Sequence, residues 1–237
     1  MTTPSAILGS VPKNGRTEAE NDDRAAAGQL RYAVADGATD SSRAGVWAEI
    51  LAAAFVLNWP VPVRIFDTRI LDRLRMRWRR TVYRDTLPWH AIWKLDRDPG
   101  AAAFAGVELD PPSRSYDVVA VGDCCVFHIR HRELVNVGPI DDWRKFTSRP
   151  DLVKATRGEE SHRAALWRYH GTYQQGDLLV LATDALSKYL LRRYERTGEV
   201  DIDECDVGSD HFADWVAGAR STGELDNDDT TACVVTL

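Results

Sequence analysis

The stretch YAVADGATDSS, residues 32–42, contains the pattern that decides the predicted fold. Apolar residues run directly into Asp36 and Gly37, and short polar side chains follow them. Asp-Gly is a common turn dipeptide, so the simplest interpretation of Asp36 is a turn at the end of a buried strand. The same arrangement recurs along the chain, and a second interpretation therefore has to be weighed against the turn.

Three more aspartates stand at the ends of apolar segments. Asp123 closes VVAVGD, Asp184 closes LLVLATD, and Asp228 directly precedes the last apolar run of the chain. If these strands share one core with their ends on one side, the carboxylates crowd together and repel unless protons or cations neutralise them. Oxygen ligands without His or Cys at a fixed spacing favour hard cations such as Mg²⁺ or Mn²⁺. The alternative for each aspartate is an ordinary turn or helix cap.

Helical periodicity follows the first aspartate. The segment SSRAGVWAEILAAAFVLN, residues 41–58, predicts a helix with Ser41 or Ser42 as its N-cap. A second helix is predicted after Pro62, because an apolar residue recurs at every fourth position from Phe66 to Val82.

The second helix contains RLRMRWRR, residues 73–80. Basic residues interleaved with an aromatic one are found in nucleic-acid-binding surfaces. The apolar stripe of the helix runs through this cluster, however, which favours a solvated helix face. Use of these arginines by a phosphorylated partner remains a second interpretation.

The period changes in the middle of the chain. The segments AAAFAGVEL, YDVVAVGD, CCVFHIRH and ELVNV are short and apolar or alternating, and they predict a meander of consecutive antiparallel strands. SHRAALWRYHG predicts a short helix or an extended connector. Further on, GDLLVLATDAL predicts a buried strand, SKYLLRRYER and GSDHFADWVAGARST predict helices, and DNDDTTACVVTL predicts an acidic turn and a final strand.

Composition bounds the class of protein. The 237 residues are 44% apolar with a net charge of −6, which predicts one domain with a substantial core, with residues 1–14 flexible. The negative charge argues against nucleic acid as a partner. The N-terminal residues have no basic start or long apolar run, and the apolar segments are interrupted, so we expect neither a secretory signal nor a membrane span. Four cysteines without metal-binding spacing predict reduced thiols and a cytoplasmic location.

The ordered motifs ENDD, ADGAT, GDCC, ATDAL and DNDDTTACVV resemble those of the metal-dependent serine/threonine protein phosphatases of the PP2C type. The bacterial group whose first motif reads DGA is the most similar variant. The resemblance extends from about residue 15 to the C-terminus. It implies an α+β fold, a four-layer α-β-β-α sandwich in which two antiparallel sheets are each covered by a pair of helices.

The resemblance also implies roles for individual residues. Asp36 is expected to bridge two metal ions, and the Gly37 carbonyl to bind one of them. The other expected ligands are Asp184 and Asp228, with Asp123 at a weaker third ion. Asp23 is expected to bind and orient a metal-bound water.

The arginine that binds phosphate in the family is a point of departure. Five residues before Asp23 this chain has Glu18, so the role is assigned to Arg16, two residues earlier. Ala38 stands where some members carry a histidine, Cys124 replaces the serine of GDS, and Ala185 replaces the glycine of TDG.

Two Mg²⁺ or Mn²⁺ ions, with a possible third, are thus the expected cofactors, and a water held between two of them would attack phosphorus directly. The implied substrate is a phosphorylated protein, and a serine/threonine kinase of the same pathway is the implied counterpart. The departures from the family motifs, at Ala38, Cys124, Ala185 and the position of the arginine, favour a second hypothesis, a pseudo-phosphatase that binds phosphoproteins without turnover. A third is a hydrolase of small phosphoesters on the same scaffold.

Overall fold

Two antiparallel β-sheets pack face to face in a computed structural model that describes residues 4–57, 64–84, 86–158 and 161–237. The strands are β1 (Ser5–Val11), β2 (Arg24–Ala27), β3 (Arg31–Gly37), β4 (Ala101–Asp110), β5 (Ser115–Val121), β6 (Cys125–Arg130), β7 (Glu133–Gly138), β8 (Val153–Lys154), β9 (Trp167–Thr172), β10 (Leu178–Ala182) and β11 (Thr230–Thr236). The first sheet has the strand order β1-β11-β10-β6-β7, and the second has the order β2-β3-β4-β5-β9 with β8 paired to β4.

Helices cover the outer face of each sheet. They are α1 (Ala44–Val56), α2 (Thr68–Val82), α3 (Trp89–Arg97), α4 (Asp184–Thr197) and α5 (Phe212–Ser221). Trp47 of α1 and Trp78 of α2 are fully buried and share a core with Phe104 of the second sheet. Leu190 of α4 and Val216 of α5 share another core with the first sheet.

A third core lies between the sheets and completes the sandwich. Val34, Val118, Leu181 and Val235 contribute to it from both sheets, and each is at most 2% exposed. The predicted α-β-β-α sandwich of two antiparallel sheets is therefore confirmed. Within the described ranges, no helix combines the length and apolar character that crossing a bilayer requires.

The predicted central meander is wrong at one point. β4 pairs with β5 and β6 pairs with β7, but β5 and β6 belong to different sheets. The chain crosses between the sheets at Gly122, whose φ is +89°. A β-carbon there would lie 2.7 Å from Asp151 O and 2.7 Å from Ala103 Cβ. Alternating hydrophobicity is the same for partners in one sheet and for neighbours in opposing sheets, so the pattern did not reveal the crossing.

Two expectations near the N-terminus are also corrected. Ser5–Val11, which we expected within a flexible segment 1–14, forms strand β1 and pairs with β11 along its length. Neither Ser41 nor Ser42 caps α1, because the N-cap is Arg43 in the left-handed region at φ 57°. The Ser41 hydroxyl instead donates to Ala38 O at 2.9 Å, which holds the turn after β3.

The expected helix after Pro62 is confirmed as α2, whereas residues 58–63 lie outside the described ranges. Arg77, Arg79 and Arg80 of the basic cluster are exposed, as expected for a solvated face, but Arg75 is 6% exposed and donates to Lys154 O at 3.1 Å.

SHRAALWRYHG forms a short 3₁₀ turn followed by strand β9. All four cysteines are buried free thiols, and Cys124 and Cys125 point into different cores.

A buried polar network joins the sheets. Tyr116 of β5 and His128 of β6 are hydrogen bonded at 3.0 Å, between the Tyr116 hydroxyl and His128 Nδ1. His128 Nε2 lies 2.8 Å from Asp177 Oδ2, and Arg130 donates to both Asp177 oxygens. Burial raises the pKa of Asp177, but the bonds from Arg130, the Gln174 amide and His128 outweigh it and lower the pKa to about 2.

Candidate functional site

Strand register gathers the predicted aspartates at one end of the sandwich. Asp36 lies opposite Ala103 in β4, one residue from the pair between Phe104 and Val121, and Asp123 follows Val121 by two residues. Asp36 and Asp123 therefore lie at the same end of the second sheet.

The first sheet contributes its carboxylates to the same end. Ala182 of β10 lies opposite both Cys125 and Ala232. Asp184 follows Ala182 by two residues, whereas Asp123 and Asp228 precede its two partners. Because β10 runs antiparallel to both neighbouring strands, residues that follow Ala182 and residues that precede its partners lie at the same end of the sheet.

The charges of these groups act on one another. Burial raises the pKa of Asp36 well above its usual range, and the charges of Asp23, Asp184, Asp123 and Asp228 raise it further. Burial, together with the charges of Asp184 and Asp228, raises the pKa of Asp123 to about 7. The five predicted carboxylates thus form one electrostatic cluster, named here the acidic cluster: Asp23, Asp36, Asp123, Asp184 and Asp228.

Asp23 has an unsatisfied oxygen in this cluster. Its side chain is 2% exposed, and the Thr183 hydroxyl donates to Oδ2 at 2.9 Å. Oδ1 is buried and has no hydrogen-bond partner. Burial, with the charges of Asp229 and Asp184, raises the pKa of Asp23 well above its usual range. An unpaired buried carboxylate oxygen is costly unless a proton, a water or a cation satisfies it.

Two lysines that the sequence analysis missed pair with predicted metal ligands. Lys188 Nζ lies 3.0 Å from Asp184 Oδ2 and 3.2 Å from Asp226 Oδ2. Lys13 Nζ lies 3.4 Å from Asp228 Oδ1 and 3.3 Å from the Thr39 hydroxyl. Asp184 and Lys188 are four residues apart on α4, a spacing that places side chains on one helix face, so this pair had a sequence signal. The Lys13 pair spans 215 positions and had none.

Asp229 anchors the N-terminal segment beside the acidic cluster. The Lys13 and Asp22 amides donate to its two oxygens, each at 2.8 Å. Arg16 contacts that segment, with Nη1 4.0 Å from Asp22 Oδ2 and 3.5 Å from Glu20 O. Its side chain is 35% exposed, and its role in binding phosphate stays a prediction.

Gly37 is required by close packing. A β-carbon at this position would lie 2.7 Å from Asp22 O and 2.9 Å from the Ala44 carbonyl carbon, both backbone atoms. Glycine at the end of β3 thus lets the N-terminal segment and the start of α1 approach Asp36. Coordination of a metal by the Gly37 carbonyl stays a prediction.

The donor set fits a hard divalent cation in its chemistry. It consists of carboxylate oxygens, one of them buried and unpaired, with no imidazole or thiolate assigned to it. In the part of the chain that the structure describes, no three His, Cys, Asp or Glu side chains form a group that could hold a metal ion. The ligand roles of Asp36, Asp184, Asp228 and Asp123 therefore also stay predictions.

No protein-family model matches the sequence, and no curated protein matches it. Solved structures of the same fold do exist. The catalytic domain of the serine/threonine protein phosphatase PstP, in complex with two manganese ions, shares 15% identity at a TM-score of 0.65 and covers 98% of this chain and 97% of its own. The PPM Ser-Thr phosphatase MsPP from Mycobacterium smegmatis, in complex with cacodylate, shares 18% identity at a TM-score of 0.58, with 98% of each chain covered. The photosystem II phosphatase PBCP shares 13% identity at a TM-score of 0.60, with 99% of this chain and 98% of its own covered. At these identities the likeness shows the fold that the chain shares with these phosphatases.

Proposed function

We propose that this chain is a Mg²⁺- or Mn²⁺-dependent phosphatase that hydrolyses phosphoserine and phosphothreonine in proteins. The observation that carries the proposal is the acidic cluster, in which strand register brings carboxylates from both sheets to one end of the sandwich. The shared fold with PstP and MsPP supports it, because PstP is in complex with two manganese ions.

In this proposal Asp36, Asp184, Asp228 and the Gly37 carbonyl would hold two ions, and Asp123 would contribute to a third. Divalent ions supply, when bound, a water of lowered pKa for attack on phosphorus and positive charge that offsets the phosphoryl oxygens. Asp23 orients the attacking water: Thr183 already occupies its Oδ2, which leaves Oδ1 to accept from that water. Arg16 would bind the phosphoryl oxygens.

The test is Mn²⁺-stimulated hydrolysis of p-nitrophenyl phosphate and of a phosphoserine peptide. Asp36→Asn and Asp184→Asn should each abolish turnover while thermal unfolding remains cooperative, because the change removes charge and keeps shape. Asp117→Asn is a matched control, since Asp117 lies on β5 outside the acidic cluster and is exposed enough to pair with His170 at the surface. Full activity in either of the first two variants would refute the ligand assignment.

The second candidate is a pseudo-phosphatase that binds phosphoproteins without turnover. The ion pairs of Lys188 with Asp184 and of Lys13 with Asp228 favour it, because an ammonium already neutralises each of these carboxylates. Calorimetry with Mn²⁺ separates the two candidates. Two sites of ordinary affinity support the enzyme, and absent binding supports the pseudo-phosphatase.

The proposed substrate is a phosphorylated protein, and a serine/threonine kinase acting in the same cytoplasmic pathway would supply it. A small phosphoester is the alternative substrate class. Comparing kcat/KM for phosphopeptides and for phosphorylated metabolites tests this choice, with preference for the metabolites counting against the protein substrate.

A further inference from the structure

A basic groove lies between the start of α2 and the segment that enters β9. Its volume is about 700 Å³. The arginines that line it are Arg64, Arg69, Arg73, Arg163 and Arg168. Among its described lining residues the single carboxylate is Asp67, and Arg64 pairs with it at 2.6 Å. Among the described lining residues arginines thus outnumber carboxylates five to one, in a chain whose net charge is −6.

Two of the arginines are available to a ligand. Arg69 and Arg168 are exposed, and neither has an ion pair with any residue that the structure describes. They line the groove from different elements, since Arg69 belongs to the first turn of α2 and Arg168 to β9. Guanidinium groups bind phosphate and carboxylate through paired, charge-assisted hydrogen bonds, so such a pair suits a doubly charged oxyanion.

The groove lies within reach of the acidic cluster. Arg168 is paired in register with Val119 on the neighbouring strand β5, and Asp123 follows Val119 by four residues. At roughly 3.3 Å per residue the distance from Val119 to Asp123 is at most about 13 Å, because β5 ends at Val121 and the chain turns at Gly122. An extended peptide spans such a distance, together with the step between strands, in about four to six residues.

We propose that the basic groove binds a second anionic group of the protein substrate, a phosphoserine or a cluster of acidic side chains about five residues from the phosphoserine held at the acidic cluster. The proposal rests on the proposed function for the identity of the substrate. The acidic cluster repels an anionic peptide wherever cations do not neutralise it, and the basic groove supplies the attraction that offsets this repulsion.

Binding without turnover tests the groove directly. A fluorescent twelve-residue peptide with two non-hydrolysable phosphonate analogues of phosphoserine five residues apart, which serves as the doubly phosphorylated peptide, is titrated with protein in Mn²⁺, and its affinity is compared with that of the same peptide carrying one analogue. Anisotropy should show about tenfold tighter binding of the doubly phosphorylated peptide, as expected for charge-assisted bonds to a second phosphate. Arg69→Glu/Arg168→Glu should abolish this difference.

The control is Arg77→Glu/Arg80→Glu, which makes the same change of charge on exposed arginines of α2 that do not line the groove. It should keep the discrimination within about twofold, because Arg77 and Arg80 lie about 12 and 16 Å along α2 from Arg69, beyond a Debye length of about 8–10 Å. An equal loss in both double variants would overturn the proposal, since it would show a general field effect. Tighter binding of an RNA oligonucleotide than of the peptide would also overturn it.

A kinetic experiment separates this proposal from the proposed function. With Mn²⁺, Arg69→Glu/Arg168→Glu should raise KM for the doubly phosphorylated peptide about tenfold and leave kcat for p-nitrophenyl phosphate unchanged. Absence of any hydrolysis by the wild type would refute the proposed function, while the anisotropy result would still decide whether the groove binds a second anionic group.

Discussion

Replacing Lys188 by methionine should destabilise the metal-free protein and strengthen its binding of Mn²⁺. Lys188 is the cation nearest to Asp184, with Nζ 3.0 Å from Oδ2, and it also contacts Asp226 at 3.2 Å. Methionine keeps most of the length and apolar surface of the side chain and removes the charge. Without the ammonium, no positive charge at Asp184 offsets the repulsion between the carboxylates of the acidic cluster.

The geometry sets the size of the effect. Two unit charges 3.0 Å apart attract by about 5–6 kcal/mol at an effective dielectric constant of about 20. The desolvation of the two side chains, which are 19% and 18% exposed, opposes most of that attraction. We expect a net loss of about 1–3 kcal/mol in the free energy of unfolding in EDTA, less than for a fully buried pair. A domain of this size should then melt about 2–10 °C lower.

The effect on Mn²⁺ has the opposite sign. An ammonium that already contacts Asp184 must be displaced, or tolerated as a like charge, when a divalent ion binds there. Its removal should tighten Mn²⁺ binding by about tenfold, a gain of about 1.4 kcal/mol. Isothermal titration calorimetry measures the affinity, and the rise of Tm on addition of Mn²⁺ reports it independently.

Arg196→Met is the matched control for Lys188→Met. Arg196 lies on the same helix and pairs with Glu224 at 3.2 Å, but its side chain is 59% exposed and the pair is outside the acidic cluster. The control should change the free energy of unfolding by less than about 0.5 kcal/mol and leave Mn²⁺ binding unchanged. If Lys188→Met bound Mn²⁺ no more tightly than the wild type, or melted higher in EDTA, the assignment of Lys188 as a resident counter-cation would be refuted.

Two further predictions concern stability. The lowered pKa of Asp177 stabilises the fold fully above the ordinary pKa of about 4, by about 2 kcal/mol, and this contribution is lost as the pH falls towards about 2. The difference in unfolding free energy between wild type and Asp177→Asn should therefore shrink over that interval in urea titrations, and a constant difference would contradict the network. Gly37→Ala should cost about 1–3 kcal/mol, because its β-carbon would meet backbone 2.7 Å away, whereas Gly218→Ala in α5, with nothing within 4 Å, should be neutral or stabilising. Equal melting temperatures for the two alanine variants would show that the contact at Gly37 relaxes freely.

Much of the fold could be predicted because its signals are local. The helical spacing of apolar residues in α1 and α2 and the short apolar strands ending in Asp36 and Asp184 are properties of neighbouring positions. The predicted sandwich also drew on the order of the motifs. Strand β1 was missed for the opposite reason, since its edge position and the exposure of Ile7 and Leu8 weaken the alternating pattern.

The sequence predicted which aspartates belong to the site, but it did not predict most of the contacts that they make. Asp23, Asp36, Asp123, Asp184 and Asp228 could be named from strand ends and motif order, and register brings them to one end of the sandwich. Lys13, by contrast, carried no signal, because its contact with Asp228 spans 215 positions. The groove arginines likewise come from segments about a hundred positions apart.

By itself, the sequence determined which segments form most of the apolar strands and helices and which carboxylates end them, because these follow from the preferences of adjacent residues for burial and backbone shape. Tertiary structure alone decided that the chain changes sheets at Gly122 and that Lys13 contacts Asp228. Such contacts depend on how two sheets face each other across a shared core. That arrangement minimises exposed apolar surface over the whole chain, and no local stretch encodes it.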